Sequence, residues 1–188
     1  MNRNDYVKKM EELFSDNTTY KLVKRNPLRS LQKKVKIILQ SLNNQKYLIH
    51  NYHNNQLTQS HTMLAKAYWL PTLHKPNHPY RPIISLINSP THFLATIIYN
   101  DLKKAISLPK SHINNSLKFR KKIENISIPD NYILLSLDVS SLFTNVPKEL
   151  VIKALDKRFS KINTNCFLPF VEIIKCTKFL FDNTFFKF

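Results

Sequence analysis

The 188-residue sequence contains no glycine, where an average chain gives it about 7% of positions. That absence excludes the Gly-rich loops of Walker and dinucleotide-binding sites, whose backbone must pass close to phosphate. Any phosphate contact therefore falls to side chains. Cysteine is nearly as scarce: Cys166 and Cys176 cannot build a disulfide framework and form no Cys-x-x-Cys pair for zinc. Both are expected to be reduced, buried thiols. No apolar run approaches the roughly eighteen residues needed to span a bilayer, and the opening Met-Asn-Arg-Asn-Asp-Tyr lacks a signal peptide's apolar segment. These features point to an intracellular protein with no membrane partner.

Acidic residues are the third scarcity. Against 29 Lys and Arg there are only 12 Asp and Glu, for a formal net charge of +17. A folded chain this basic repels itself unless something acidic shares its surface, and nucleic acid is the leading partner class. Part of the charge follows from an abundance of Lys, Asn and Ile that looks like AT-rich coding. What is plentiful is apolar: 43% of the chain is hydrophobic, enough for a real core. The pairs His50 with His53 and His74 with His78 could each be drawn as half a metal site, but neither has a convergent Cys or acid to complete it.

Along the chain, the first twenty-five residues give no firm assignment. Asn26-Pro27 opens a helix, with Leu28, Leu31, Val35, Ile38 and Leu42 forming one apolar stripe. Lys33, Lys34 and Lys36 lie off the stripe, on a face that is either solvated or tracks phosphate. Residues 43–62 read as a loop or weak helix. Four prolines fall within the twelve residues 71–82 and fix extended or turn geometry. The pattern predicts two short strands, before Pro71 and around Ile83, joined by a stiff basic loop carrying Lys75 and Arg81. Ser89-Pro90 opens a second helix with Leu94, Ile97, Ile98, Leu102 and Ala105 on one face. A polar, basic connection through Phe119, Arg120, Lys121 and Lys122 follows. Pro147 lies in the first turn of a third helix, its buried face being Leu150, Val151, Ala154, Leu155 and Phe159. Pro169 starts a fourth, carrying Val171, Ile174 and Phe181. The closing Phe-Phe-Lys-Phe reads as a strand that needs a partner.

The stretch 132–147, Tyr-Ile-Leu-Leu-Ser-Leu-Asp-Val-Ser-Ser-Leu-Phe-Thr-Asn-Val-Pro, sets Asp138 after a short apolar run. Such a run is too short for a typical helix and suits a strand buried on both faces, ended by Ser-Ser. Asp138 then stands at a strand's carboxyl end, where open α/β folds place ligands. An acid there is either a turn or cap residue or a functional one. The chain as a whole reads as α/β (α+β) and helix-rich.

Two stretches resemble a known family. Leu-Pro-Thr-Leu-His-Lys-Pro-Asn-His-Pro-Tyr-Arg-Pro-Ile-Ile-Ser, residues 70–85, resembles the fingers motif of Penelope-like retroelement reverse transcriptases. Ser-Leu-Asp-Val-Ser-Ser-Leu-Phe-Thr-Asn-Val-Pro, residues 136–147, resembles their palm motif A. The order and separation of the two also fit, as do Ile-Asn-Ser-Pro at 87–90 and the closing Asn-Thr-Phe-Phe-Lys-Phe. The resemblance covers most of the chain and is weak before residue 65. It implies an RNA-directed DNA polymerase with a partial right-hand fold, fingers plus an incomplete palm. The implied divisions are a helical extension over 1–64, a fingers-like region over 65–131 and a partial palm over 132–188. RNA template, DNA primer and dNTP would be the partners, in an intracellular, nuclear setting.

The chemistry implied is two-metal phosphoryl transfer, with carboxylates holding two Mg²⁺ (or Mn²⁺) about 3.5–4 Å apart. On the resemblance, Asp138 is the motif A metal ligand and the Val139 carbonyl lies beside it. Phe143 matches the steric gate against a ribonucleotide 2′-hydroxyl. Arg81 matches the fingers arginine that contacts the triphosphate, and Lys75 is a second candidate; Arg suits the role because it clamps phosphate oxygens in a bidentate way. Lys33, Lys34, Lys36, Arg120, Lys121 and Lys122 are the candidate nucleic-acid contacts. Thr72 stands where the family commonly has Lys, and Asn77 where it commonly has Gly. Family members continue to a Tyr-x-Asp-Asp motif that supplies the remaining carboxylates, and this sequence holds no Asp-Asp. The expectation is a truncated polymerase that does not polymerise alone and depends on the missing C-terminal part, with a 132–138 strand left partly unpaired. The alternative is a basic nucleic-acid-binding protein that has lost the chemistry.

Overall fold

The computed structural model describes residues 3–48, 61–72, 80–139 and 145–188. Among these, seven helices and three strands form a helix-rich α+β fold. In chain order they are α1 Arg3–Phe14, α2 Leu28–Asn44, β1 Ala65–Pro71, β2 Tyr80–Ser85, α3 Pro90–Ala105, α4 Ser116–Ile123, α5 Lys148–Asp156, α6 Phe159–Asn165, α7 Phe170–Asp182 and β3 Phe186–Lys187.

Helix α2 begins where the stripe predicts. Asn26 Oδ1 accepts the Leu28 N–H at 2.9 Å, which satisfies one of the donors every helix start leaves open. Leu31, Val35, Leu39 and Leu42 are buried, with Leu28 and Ile38 half-buried, so the stripe is wider than expected by Leu39. The helix ends in a Schellman motif without glycine. Lys46 N donates to Asn43 O at 2.9 Å and Tyr47 N to Leu42 O at 3.0 Å, while Lys46 takes φ 59°, the left-handed position this motif requires.

Helix α3 is central to the apolar core, packing against α2, α6 and α7. Leu94, Ile97, Ile98 and Ala105 are buried as expected, and the first three meet Leu31 and Val35 of α2, Ile162 of α6 and Ile173 of α7 in one cluster. Each fully buried aliphatic side chain of this kind contributes roughly 1.5–3 kcal/mol. Asp101 lies on the same face and is buried. Its Oδ1 accepts the Phe167 N–H and its Oδ2 the Leu168 N–H, each at 2.8 Å. Through these two bonds α3 grips the turn that leads into α7.

That grip corrects the expected face of α7. Ile173, Cys176 and Thr177 are buried, whereas Val171 is 72% exposed and Phe181 41% exposed; Ile174 is half-buried. The rotation of the helix follows from the pinned 167–168 turn, a contact made 66 residues away in sequence. The third helix is corrected as well. It stops at Asp156, and Phe159 belongs to α6, where its ring meets Phe170 edge-on at 4.8 Å. Leu155 is the buried member of the expected face, Val151 and Ala154 are half-buried, and Leu150 and Phe159 are exposed.

The two strands expected around the proline-rich stretch form. β1 and β2 are antiparallel, with Lys66 opposite Ser85, Tyr68 opposite Ile83 and Leu70 opposite Arg81. Arg81 thus lies within β2 itself and not in the connecting loop. The closing Phe-Phe-Lys-Phe finds its partner, because β3 joins the other edge of β1 in parallel, Lys66 opposite Lys187, giving the order β2-β1-β3. β3 covers only the start of β1, and further along the strand the Tyr6 hydroxyl of α1 accepts the Trp69 N–H at 2.9 Å. Lys9 sits 4.8 Å over the Tyr80 ring, and Phe14 packs on Phe186 at 5.1 Å. After β2 the chain turns at Leu86–Ser89, with Ser89 N donating to Leu86 O at 2.8 Å and Asn88 at φ 61°. Asn is among the few residues that tolerate this conformation.

The strand expected at 132–138 does not form. Residues 132–139 carry no regular secondary structure and are exposed throughout, Ile133 to 92% and Leu137 to 85%. A strand needs a ladder partner, and the described strands pair only among themselves. The basic connection before it is in part helical. Asn115 Oδ1 accepts the Lys118 N–H at 2.9 Å and caps α4, which buries none of its residues. Among the described residues, no helix is long and apolar enough to cross a membrane.

Candidate nucleotide and nucleic-acid site

Arg81 projects from a two-stranded ladder. Its backbone is fixed opposite Leu70 and its side chain is exposed, so a rigid strand presents a guanidinium to solvent. Lys75 lies in the 73–79 connection, outside the described residues, as do Phe143, His50, His53, His74 and His78.

Asp138 ends the exposed apolar run. Its Oδ1 accepts the N–H of Val139 at 2.9 Å, a local bond that turns the carboxylate back on its own backbone. Among the described residues, no hydrogen bond or ion pair joins Asp138 to Arg81. A two-metal centre needs several carboxylates converging on one point. Asp138 offers one, and among the described residues no group of three or more His, Cys, Asp or Glu gathers. The described residues therefore supply one ligand position and do not by themselves fit a metal pair.

The candidate phosphate contacts fall into two exposed groups. Lys33, Lys34 and Lys36 are exposed on α2, and Lys34 Nζ reaches Asn183 Oδ1 at 3.5 Å. Arg120, Lys121 and Lys122 form the last turn of α4. That placement favours cations, since helix carbonyls concentrate partial negative charge there. Among the described residues, ion pairs touch neither group. The two groups lie on different helices, α2 and α4.

Of the two thiols expected to be buried, Cys176 is buried and Cys166 only half-buried, and both are free. Burial, helped by the neighbouring Asp101 and Glu172 carboxylates, pushes the Cys166 and Cys176 thiols up to about 11. Thiols held this far above neutrality are poor nucleophiles and metal ligands.

Two features escaped the sequence reading. Asp101 was signalled by its place: it follows Leu94, Ile97 and Ile98 and precedes Ala105 at helical spacing, and an acid on an apolar face needs donors. The exposed face of the sheet, with Lys66, Tyr68 and Lys187, depends on the β1–β3 pairing between distant segments and had no local signal. Comparison of the chain with protein-family models, curated proteins and solved structures finds no match.

Proposed function

We propose that this chain is the fingers and first palm portion of an RNA-directed DNA polymerase similar to the Penelope-like reverse transcriptases, with the right-hand fold those enzymes imply, and that it does not polymerise alone. One observation carries the reading: two motifs, residues 70–85 and 136–147, each match over about a dozen positions and stand in the family's order and spacing. The hairpin of β1 and β2, with Arg81 exposed on a fixed strand, supports the fingers assignment. A net charge of +17 supports an RNA template and a DNA primer as partners.

In this reading Arg81 and Lys75 bind the triphosphate of a dNTP, Phe143 excludes a ribose 2′-hydroxyl, and Asp138 with the Val139 carbonyl contributes one side of a Mg²⁺ or Mn²⁺ site. The bound metals would supply charge neutralisation at the transferring phosphoryl group. One carboxylate does not hold two metals, and a catalytic unit missing members is not partly active, so no polymerisation is proposed for this chain alone. A second reading, a non-catalytic basic nucleic-acid-binding protein, is favoured by the two exposed basic surfaces on α2 and α4.

Primer extension and binding separate the two. The purified chain with an RNA template, DNA primer, dNTPs and Mg²⁺ or Mn²⁺ is expected to give no extension but salt-sensitive template–primer binding. Binding of dNTP is expected to weaken about tenfold or more in Arg81→Ala, the scale of a lost charge-assisted contact. Extension that disappears in Asp138→Asn would overturn the claim of inactivity. Nucleic-acid binding without dNTP binding, indifferent to Asp138→Ala and Arg81→Ala, would replace the polymerase reading with the second one.

A further inference from the structure

Strand register places alternate residues on opposite faces of the sheet. One face carries Ala65, Ala67 and Trp69 with Tyr80 and Phe186, and α1 lies against it through Lys9 and Phe14. The other carries Lys66, Tyr68 and Leu70 of β1, their cross-strand neighbours Ser85, Ile83 and Arg81 of β2, and Lys187 of β3. On this second face Lys66, Tyr68, Leu70, Arg81 and Lys187 are exposed, with Ile83 and Ser85 half-buried. None of the three strands contains an acid. Two lysines therefore stand side by side at one end and a guanidinium at the other. Between them lies Tyr68, 41% exposed and flanked by Leu70 and Ile83.

We propose that this open sheet face binds single-stranded nucleic acid, with Tyr68 as the platform on which a base stacks and Lys66 and Lys187 as contacts to the flanking phosphates. The inference rests on the reading of the chain as a handler of nucleic acid and adds to it the surface and the strandedness. Cations alone would suit any polyanion. The ring between them selects for exposed bases, because stacking needs a free π-face that a duplex keeps inside. Cross-strand neighbours stand about 5 Å apart and same-face residues along a strand about 7 Å, so the ring and cations can engage successive nucleotides of one extended strand. β1 holds them in fixed register, which cuts the ordering cost of binding.

Fluorescence anisotropy with labelled oligo(dT) and oligo(rU) across a salt series tests this on the full chain. Tyr68→Ala is expected to weaken single-strand binding about tenfold and Tyr68→Phe to retain it, the scale of one lost stacked base. Lys66→Ala with Lys187→Ala is expected to reduce the slope of log K against log salt by about 1.4, from roughly 0.7 per phosphate contact on a single strand. Duplex DNA is expected to be indifferent to Tyr68→Ala. If the unaltered chain binds no nucleic acid, the functional reading and this inference fall together. If it binds but Tyr68→Ala matches wild type, or the loss is equal on duplex DNA or on anionic vesicles, this inference alone is overturned. Since Tyr68 is exposed, an unchanged melting curve for Tyr68→Ala is expected and separates lost stacking from lost fold.

Discussion

Lys46 holds a left-handed backbone at φ 59° in a chain that has no glycine to place there. A side chain in that conformation costs roughly 1–2 kcal/mol, part of which the freer unfolded state of glycine would offset. Lys46→Gly is therefore expected to stabilise the chain by about 1 kcal/mol and raise its melting temperature by about 2–4 °C, read by thermal and denaturant unfolding; a loss of stability would mean that the lysine side chain contributes more than its backbone costs. The cysteines set a pH dependence. Their thiols are held up to about 11 by burial, against 9.0 as the ordinary value. Between those values the folded chain binds more protons than the unfolded one, so stability present below about pH 9 is lost as pH rises toward 11. Denaturation midpoints are expected to fall across that window. At about pH 8, Ellman's reagent should modify the native thiols far more slowly than the denatured ones, because a shift of this size leaves roughly a hundredfold less thiolate. Equal rates in both states would contradict the burial argument.

At the scale of elements, local spacing located most helices and misjudged how some of them sit. Asn26-Pro27 and Ser89-Pro90 announce α2 and α3 because helix starts are encoded within a few residues: Asn26 Oδ1 takes the Leu28 N–H and Pro90 is the first residue of α3, although Ser89 makes no side-chain cap bond. α7 was legible as a helix from Pro169 but not in its orientation. Ile173, Cys176 and Thr177 face inward because Asp101 pins the preceding turn, and no window around residue 175 contains Asp101. The apolar run at 132–138 was misread as a strand for a related reason, since composition states a preference for a ladder and cannot supply the partner. The run is exposed as it stands. Leu134→Lys with Leu137→Lys is accordingly expected to change unfolding free energy by less than about 0.5 kcal/mol while lowering aggregation measured by light scattering, because long exposed apolar segments associate. A destabilisation of several kcal/mol would show that these side chains are packed.

Over the whole molecule, the candidate site was legible where chemistry follows local sequence and hidden where it follows topology. Asp138 stands out because it ends a patterned apolar run, whereas Arg81 was marked only by the resemblance and lies within β2. The open basic face with Tyr68 emerges only once β1 lies between β2 and β3, with Lys66 opposite Ser85 on one side and Lys187 on the other. That central position has a consequence for the order of assembly during synthesis. β2 leaves the ribosome shortly after β1 and can pair at once, but Phe186, which pairs with Ala65, comes 115 residues after Pro71. At roughly 5–20 residues per second the nascent chain carries β1 with one edge waiting for about 6 to 23 s. Tyr6, made first, bonds Trp69 further along β1, so the part left waiting is the Ala65–Lys66 start of the strand.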